Sequence, residues 1–275
     1  GGHDLCVGDR RFYTCQTGQK GLCRLRLVAR GTPGHGSMPH GDSAIIKLSR
    51  AVASLEGAVL PVHVSQSVRH MVGEIARHVP QTESEIWLGL LDEETSSEAL
   101  AALRIDEELR SELGAMLRNT ASLTMLQAGS KINVIPGEAT AWVDGRLAPG
   151  QSQESFVEEM RAFVGDEVEI EVDQYTPPLE ADAESPLYVA IADVMRESDE
   201  DARLLPYLLP AGTDAKHIVP RRPETQIYGF MPYRQKPGEE EMKLIHGHDE
   251  RTSVEELLFA TQKLYEIVYR FSSET

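Results

Sequence analysis

The chain has 275 residues, of which 41% are hydrophobic and 26% are charged, as is typical of a folded protein with one or two domains. Its formal net charge of −17 at pH 7 argues against nucleic-acid partners and anionic membrane surfaces, because their phosphates would repel it. The sequence contains no apolar run of about 18 residues, the length that spans a bilayer, so we expect no membrane partner.

The cysteine content predicts a cytoplasmic protein. The chain carries 3 cysteines, Cys6, Cys15 and Cys23, an odd number without C-x-x-C spacing. The N-terminal residues lack the basic and apolar regions of a secretory signal. We therefore expect reduced thiols and a cytoplasmic location.

The first predicted elements are a strand, a loop and a helix. Residues 22–29, LCRLRLVA, alternate apolar and basic side chains and predict a half-buried strand. The Gly- and Pro-rich segment GTPGHGSMPHGD predicts a loop. Ser43 is then the predicted N-cap of a helix, and a further helical segment is predicted over about residues 64–120.

A second group of elements completes a recognisable order. LTMLQAG, INVIP and the alternating residues 139–147 predict strands, and the helix that follows ends at Gly165. Residues 168–172 predict the last strand. The order β-α-β-β-α-β is that of a ferredoxin-like sandwich, in which helices cover one face of an antiparallel sheet.

The remaining residues predict a discontinuous α/β domain. After the boundary segment YTPPLEADAESP, a helix opens at Ser185, and LLPYLLPAG and QIYGFMP predict buried strands. The last helix is predicted to begin after Ser253, which has capping-box spacing, and to turn Leu257, Leu258 and Tyr265 inward. The predicted fold class is therefore α/β: a mixed sheet with helices over residues 1–21 and 182–275, interrupted by a ferredoxin-like α+β domain over 22–181 that carries the helical insertion.

Three clusters of residues could carry chemistry, whereas the G-x-S-x-G, G-x-x-x-x-G-K-[ST], G-x-G-x-x-G and H-E-x-x-H motifs do not occur. His35 lies in a glycine-rich loop that would expose its imidazole. Asp144 and Arg146 lie two apart on one strand face, where the carboxylate can orient the guanidinium. Asn133 offers an amide on the preceding strand. A solvent-facing histidine and an ordinary polar sheet face are the simpler alternatives.

The third cluster is a strand end that turns into a helix, and a histidine-rich segment follows it. Backbone N–H groups around Gly212 and Thr213 could bind a carboxylate or a phosphate, although a capped helix start has the same pattern. In IHGHDE, one of the two histidines ahead of the terminal helix could ligate zinc while Asp249 or Glu250 holds its second ring nitrogen. The alternative is the polar start of the terminal helix.

In their order along the chain, these clusters resemble one family. The matching segments are GQKG, RLVARGTPGHGSMPHGDSAI, LRNTASLTML, AGSKINVIPGEATAWVDGRLAPGQ, PAGTDAKHI, YGFMP and IHGHDERTSVEEL. They are similar to the co-catalytic zinc metallopeptidase family of aminoacylase, acetylornithine deacetylase, succinyl-diaminopimelate desuccinylase and glutamate carboxypeptidase. The LRNT and NVIP segments and the helical insertion resemble the aminoacylase and carboxypeptidase-S branch most.

The resemblance implies roles for individual residues. His246 matches the last metal ligand of the family, and His35 matches the lid histidine that reaches the active site of the other subunit and stabilises the oxyanion. Asn133 and Arg146 match groups that bind the substrate carboxylate or the tetrahedral intermediate. Gly212 and Thr213 match the substrate-binding loop. The implied substrate-binding residues are therefore Asn133, Arg146, Gly212 and Thr213.

The resemblance also implies an activity and a departure from it. A complete family member is a homodimer through its lid domain and holds two zinc ions, with cobalt or manganese as possible replacements. Its metal-activated water cleaves the amide or peptide bond of an N-acyl amino acid or a peptide with a free carboxylate. In the family, the H-x-D, bridging Asp and Glu-Glu motifs lie upstream of the segments matched here, and no counterpart precedes GQKG in this sequence; Gly1-Gly2 resembles the residues that follow the Glu pair. We therefore expect this chain to be inactive alone, with a non-catalytic dimerisation or binding module as the alternative.

Overall fold

The computed structural model describes residues 4–7, 10–201, 203–234, 247–248 and 250–273. The strands are β1 (Asp4–Val7), β2 (Arg10–Gln19), β3 (Gly21–Arg30), β4 (Gly34–His35), β5 (Thr120–Ala128), β6 (Val134–Ile135), β7 (Glu138–Leu147), β8 (Val168–Thr176), β9 (Leu179–Glu180) and β10 (Arg203–Leu209). The helices are α1 (Ala44–Ala53), α2 (Gln66–His78), α3 (Gln81–Gly89), α4 (Ser96–Ala102), α5 (Glu107–Leu117), α6 (Gln153–Val164), α7 (Pro186–Ser198), α8 (Ala215–Ile218) and α9 (Val254–Ser273).

The predicted ferredoxin-like order is confirmed. Strands β5, β7, β3 and β8 form an antiparallel sheet in that spatial order. Alternate residues such as Leu25, Leu27 and Val143 are buried, and they share one core with Leu48 of α1 and Phe156 of α6. The opposite face carries the charged residues of β3 and β7 and is not part of this core. The sheet therefore offers an open polar face.

A second, mixed sheet surrounds β2. This strand pairs antiparallel with β1 and β9 and parallel with β10. Its residues from Phe12 onward are buried, as expected of a strand covered on both faces. The mixed sheet with helices confirms the α/β fold class.

The helical segment between α1 and β5 packs on this mixed sheet. Helices α2 to α5 contribute Met71, Ile75 and Trp87 to a core that includes Phe12 and Leu208. The Glu180 carboxylate of β9 also accepts a hydrogen bond of 2.6 Å from the backbone N–H of Ser67 at the start of α2. In the chain, the segment thus interrupts the ferredoxin-like unit between α1 and β5. In space, it packs as a layer on the mixed sheet around β2.

The terminal helix corrects one expectation. Leu257, Leu258 and Tyr265, predicted to face inward, are 55%, 64% and 69% exposed. The helix packs on α7 through a narrower stripe that contains Ala260 and Ile267. An apolar stripe predicts that a face can be buried, but the rest of the fold determines which face finds a partner.

The start of α9 explains this orientation. The Ser253 hydroxyl accepts a hydrogen bond of 3.2 Å from the N–H of Glu256, which is one half of the predicted capping box. The buried Glu256 carboxylate instead accepts hydrogen bonds of 2.9 Å from both the backbone N–H and Nη2 of Arg234. This ion pair fixes the helix against residues 231–234.

Two smaller observations complete the fold. QIYGFMP, predicted as a strand, forms only an isolated bridge between Gly229 and Gln16. Within the described ranges, none of the helices combines the length and apolar character that crossing a bilayer requires.

Candidate functional site

His35 and Asn133 meet at the tip of the ferredoxin-like unit. Strand β4 pairs with β6 so that His35 lies opposite Val134, and the N–H of Gly36 donates a 2.9 Å hydrogen bond to the carbonyl of Asn133. A Cβ at position 36 would lie 3.3 Å from the Asn133 carbonyl, so a larger residue here would need a small shift of the Asn133 backbone. His35 therefore lies in a small, exposed two-stranded sheet, and Asn133 immediately precedes the second strand of that sheet.

The His35 ring has a defined tautomer. Its Nδ1 accepts a hydrogen bond of 3.2 Å from the Ser37 backbone N–H and lies 2.8 Å from the Ser37 hydroxyl. An Nδ1 that accepts from a backbone N–H carries no proton, so the neutral ring holds its proton on Nε2. The exposed imidazole can therefore donate a hydrogen bond to an oxygen outside this loop.

Asp144 and Arg146 form the predicted pair. Arg146 Nε lies 2.6 Å from Asp144 Oδ1, and Nη2 lies 3.3 Å from Oδ2. The side chains are only 31% and 24% exposed, and Arg24 adds a second cation 3.6 Å from the same carboxylate. The two-point contact fixes the plane of the Arg146 guanidinium on the open sheet face.

The Gly212–Thr213 loop is attached to the end of β2. The buried Gln19 Oε1 accepts hydrogen bonds of 3.0 Å from Thr213 N–H and 2.5 Å from Thr213 Oγ1. Thr213 Oγ1 in turn accepts one of 3.3 Å from the Ala215 N–H. Two backbone donors of the predicted anion cradle are thus engaged internally, and the loop borders a cavity of about 350 Å³ lined also by Glu180.

Lys20 directly follows Gln19 at the end of β2, and the sequence predicted no role for it. Its side chain is 2% exposed, and Nζ donates hydrogen bonds of 2.8 Å and 2.7 Å to the carbonyls of Ala115 and Arg118. Burial and the nearby Arg146 lower the pKa of Lys20 to about 7. The signal available in the sequence was its place in GQKG, between the two predicted domains.

The two groups of candidate residues lie far apart within one chain. Arg146 pairs with Leu22 at one end of β3, whereas Arg30 at the other end pairs with Glu138 and leads into the His35 loop. The residues from Leu22 to Arg30 span roughly 26 Å at ~3.3 Å per residue. His35 and Asn133 therefore do not join Arg146 and Thr213 in a single chain.

The predicted metal ligand cannot be placed. His246 lies outside the described residues. Among the residues that the structure does describe, no group of three or more His, Cys, Asp and Glu side chains could hold a metal ion. These residues alone do not fit a two-metal centre, because such a site needs several converging ligands.

The fold joins a ferredoxin-like antiparallel sheet to a mixed sheet with helices. The family model described as "Peptidase dimerisation domain" of M20 matches residues 17–171, which is more than half of the chain. The chain therefore belongs to the M20 peptidase family, and the resemblance inferred from the sequence is confirmed.

Individual relatives agree with this assignment. The chain is 29% identical over 260 residues to the N-fatty-acyl-amino acid synthase/hydrolase PM20D1 of Xenopus tropicalis, covering 92% of this chain and 48% of the relative. It is 25% identical to probable carboxypeptidase S-like 2 of Dictyostelium discoideum, with 86% and 44% covered. The M20 metallo-carboxypeptidase Sso-CP2 of Sulfolobus solfataricus shares the fold at a TM-score of 0.56 and 16% identity, with 94% and 60% covered. The chain spans about half the length of the curated relatives it matches.

Proposed function

We propose that this chain provides the lid, the dimer interface and the substrate-carboxylate contacts of a hydrolase that cleaves the amide or peptide bond of an N-acyl amino acid or a peptide. The observation that carries the proposal is the Arg146–Asp144 pair, which is fixed on an open sheet face. A guanidinium oriented in this way suits a substrate carboxylate. The loop of Gly212 and Thr213, which Gln19 holds at the end of β2, supplies a second contact.

We propose that residues 22–181 form the lid and that residues 1–21 and 182–275 form the other domain. The insertion at about 64–120 belongs to the lid by chain order and to the other domain by packing. This division places Lys20 and Gln19 at the junction, where a relative movement of the two domains would change the distance between Arg146 and Thr213.

The separation of about 26 Å along β3 supports a homodimer through the lid, in which His35 and Asn133 of one copy meet Arg146 of the other. In that arrangement the His35 Nε2–H donates to the oxyanion that forms on the attacked carbonyl, and Asn133 binds the same intermediate or the carboxylate. One well-placed donor of this kind is worth roughly 2.7–4 kcal/mol.

We further propose His246 as one zinc ligand, with cobalt or manganese as alternatives. We also propose that this chain alone does not hydrolyse amides. The match to a dimerisation domain over residues 17–171 favours the second candidate function, a non-catalytic dimerisation or binding module. We also propose a cytoplasmic location, supported by the free Cys6, Cys15 and Cys23.

The experiment measures binding and turnover with the purified chain. An N-acyl amino acid is titrated by calorimetry, and its hydrolysis is followed by amine release with zinc added. We expect binding without turnover, and roughly tenfold or greater weakening of binding in Arg146→Met, from loss of a charge-assisted contact. Arg50→Met is the control, because that side chain is 70% exposed on α1.

Three results would contradict these proposals. Turnover by the chain alone would refute its inactivity. Unchanged affinity in Arg146→Met would refute the carboxylate contact. A monomeric chain in analytical ultracentrifugation at micromolar concentration would refute the lid dimer.

A further inference from the structure

Arg118 is a buried arginine with unused hydrogen-bonding capacity. It ends α5 and forms an isolated bridge with Val62, and it is only 9% exposed. Nη2 donates hydrogen bonds of 3.3 Å and 3.0 Å to the hydroxyls of Ser96 and Ser97. Nε is buried and has no partner. A buried N–H donor without an acceptor is rare in folded proteins.

The charge of Arg118 is also uncompensated. Among the described residues, no carboxylate forms an ion pair with it, and burial alone lowers its pKa. Arginine nevertheless stays protonated in proteins, so its charge is removed from water without a counter-ion, which costs free energy.

A cavity of about 320 Å³ adjoins this arginine. Its lining includes Arg118, Asn119 and Thr120 and an apolar group. The apolar group is Leu55, Ala58, Val59, Leu60, Ala121 and Met160. The volume is at the low end of the ~300–1,000 Å³ range of ligand pockets. A lining that combines an arginine with aliphatic side chains suits a small amphipathic anion.

The other polar groups of this region are already paired. Asn119 Oδ1 accepts a 2.8 Å hydrogen bond from the Ala148 N–H, and Asn119 Nδ2 donates one of 2.9 Å to the Glu159 carboxylate. The Glu159 carboxylate also lies 2.5 Å from Nε2 of His63. Glu159 is thus engaged by two other side chains, and Arg118 is the group with capacity for an incoming acceptor.

We propose that this cavity binds a carboxylate with a short aliphatic chain. The carboxylate accepts a hydrogen bond from the Arg118 guanidinium and neutralises its charge. The chain lies against Leu55, Leu60 and Met160 and displaces water from their surfaces. This assignment does not depend on the proposed hydrolase, because Arg146, Gly212 and Thr213 do not line the cavity.

Calorimetric titration of the full chain with hexanoate tests the proposal. We expect saturable binding that Arg118→Met weakens roughly ten- to hundredfold, the loss expected for a buried charge-assisted contact. Arg77→Met is the matched control, since it removes an arginine of the helical segment that is 74% exposed, and it should bind as the wild type does. Equal binding by wild type and Arg118→Met would overturn the proposal.

Two further experiments test the contribution of the apolar lining separately from that of the Arg118 charge. Ala121→Phe fills the cavity while keeping Arg118, and we expect it to abolish hexanoate binding with α-helical circular dichroism unchanged. Acetate and inorganic phosphate, which lack the chain, should bind at least tenfold more weakly than hexanoate. Binding of hexanoate by Ala121→Phe with wild-type affinity, or phosphate binding as tight as hexanoate binding, would refute the carboxylate assignment.

The stability of the unliganded Arg118→Met variant is an independent test of the proposal. Removing an unpaired buried charge while keeping the length of the side chain should leave the midpoint of urea unfolding of Arg118→Met equal to or above that of the wild type. Hexanoate should then raise the midpoint of the wild type only. A clear loss of stability in unliganded Arg118→Met would mean that the guanidinium serves the fold, and it would count against a vacant anion site.

Discussion

The buried amine of Lys20 predicts how the stability of this protein depends on pH. Its side chain is 2% exposed, and its two close acceptors are backbone carbonyls, at 2.8 Å and 2.7 Å. A neutral amine has two N–H donors, which these two carbonyls satisfy, whereas an ammonium brings a third donor and a full charge into the interior. The perturbation we consider is Lys20→Met, which keeps the aliphatic stem and removes the titrating group.

The magnitude follows from the difference between the folded and unfolded pKa. The pKa of Lys20 is lowered from 10.5 to about 7 in the folded protein. Between these values the unfolded chain binds a proton that the folded chain does not, so the free energy of unfolding rises with pH. From pH 7 to pH 9 the contribution is about 2 kcal/mol, at ~1.4 kcal/mol per pH unit once the folded amine is neutral.

Urea denaturation at pH 7, 8 and 9 measures this effect. The wild type should gain about 2 kcal/mol more than Lys20→Met over this range, and Lys216→Met, which changes an exposed lysine, should behave as the wild type. Burial raises the pKa of Cys15 to about 12 and that of Cys23 to about 11, which opposes the trend near pH 9. Both thiols are present in all three proteins, so their effect cancels in the comparison. Parallel pH profiles for wild type and Lys20→Met would refute the reasoning.

Backbone geometry and helix capping give two further predictions, each checked by urea unfolding. A Cβ at Gly145 would lie 2.3 Å from a ring carbon of Phe156, so Gly145→Ala should destabilise the protein by about 1–3 kcal/mol, whereas Gly73→Ala, in a helix with open space around it, should stabilise it by about 0.5–1 kcal/mol. Ser152→Ala removes a capping-box hydroxyl of α6 and should cost about 1 kcal/mol. Ser43→Ala should change little, because Ser43 makes no side-chain cap hydrogen bond; equal losses for both serines would contradict the capping argument.

Local sequence patterns predicted much of the ferredoxin-like unit. Alternation in residues 22–29 and 139–147 gave two neighbouring strands, β3 and β7, because a period of two places one apolar row on the core side. Gly165 marked the end of α6, where its φ of +72° suits glycine. The Asp144–Arg146 pair was also predictable, since side chains two apart on a strand share a face.

Packing partners were less predictable than elements. The apolar stripe of α2 indicated a buried face, but nothing local indicated that Met71 and Ile75 would meet Phe12, which lies about sixty residues earlier in the sequence. The same limit explains the error for Leu257 and Tyr265 in α9. Lys20 was missed because its acceptors, the carbonyls of Ala115 and Arg118, converge on it only in the folded chain.

The length of β3 connects the proposed dimer to the proposed site. A strand of 10 residues, Gly21–Arg30, separates the junction near Arg146 from the loop that carries His35. No rotamer change can close a gap of roughly 26 Å, so a site that uses both residues requires two copies of the lid. Under this proposal, a substitution that weakens the dimer weakens binding of an N-acyl amino acid as strongly as the loss of His35, although it touches no substrate. Mixing chains that carry Arg146→Met with chains that carry His35→Ala would then restore one intact site per mixed dimer, whereas a site built within one chain would gain nothing from mixing.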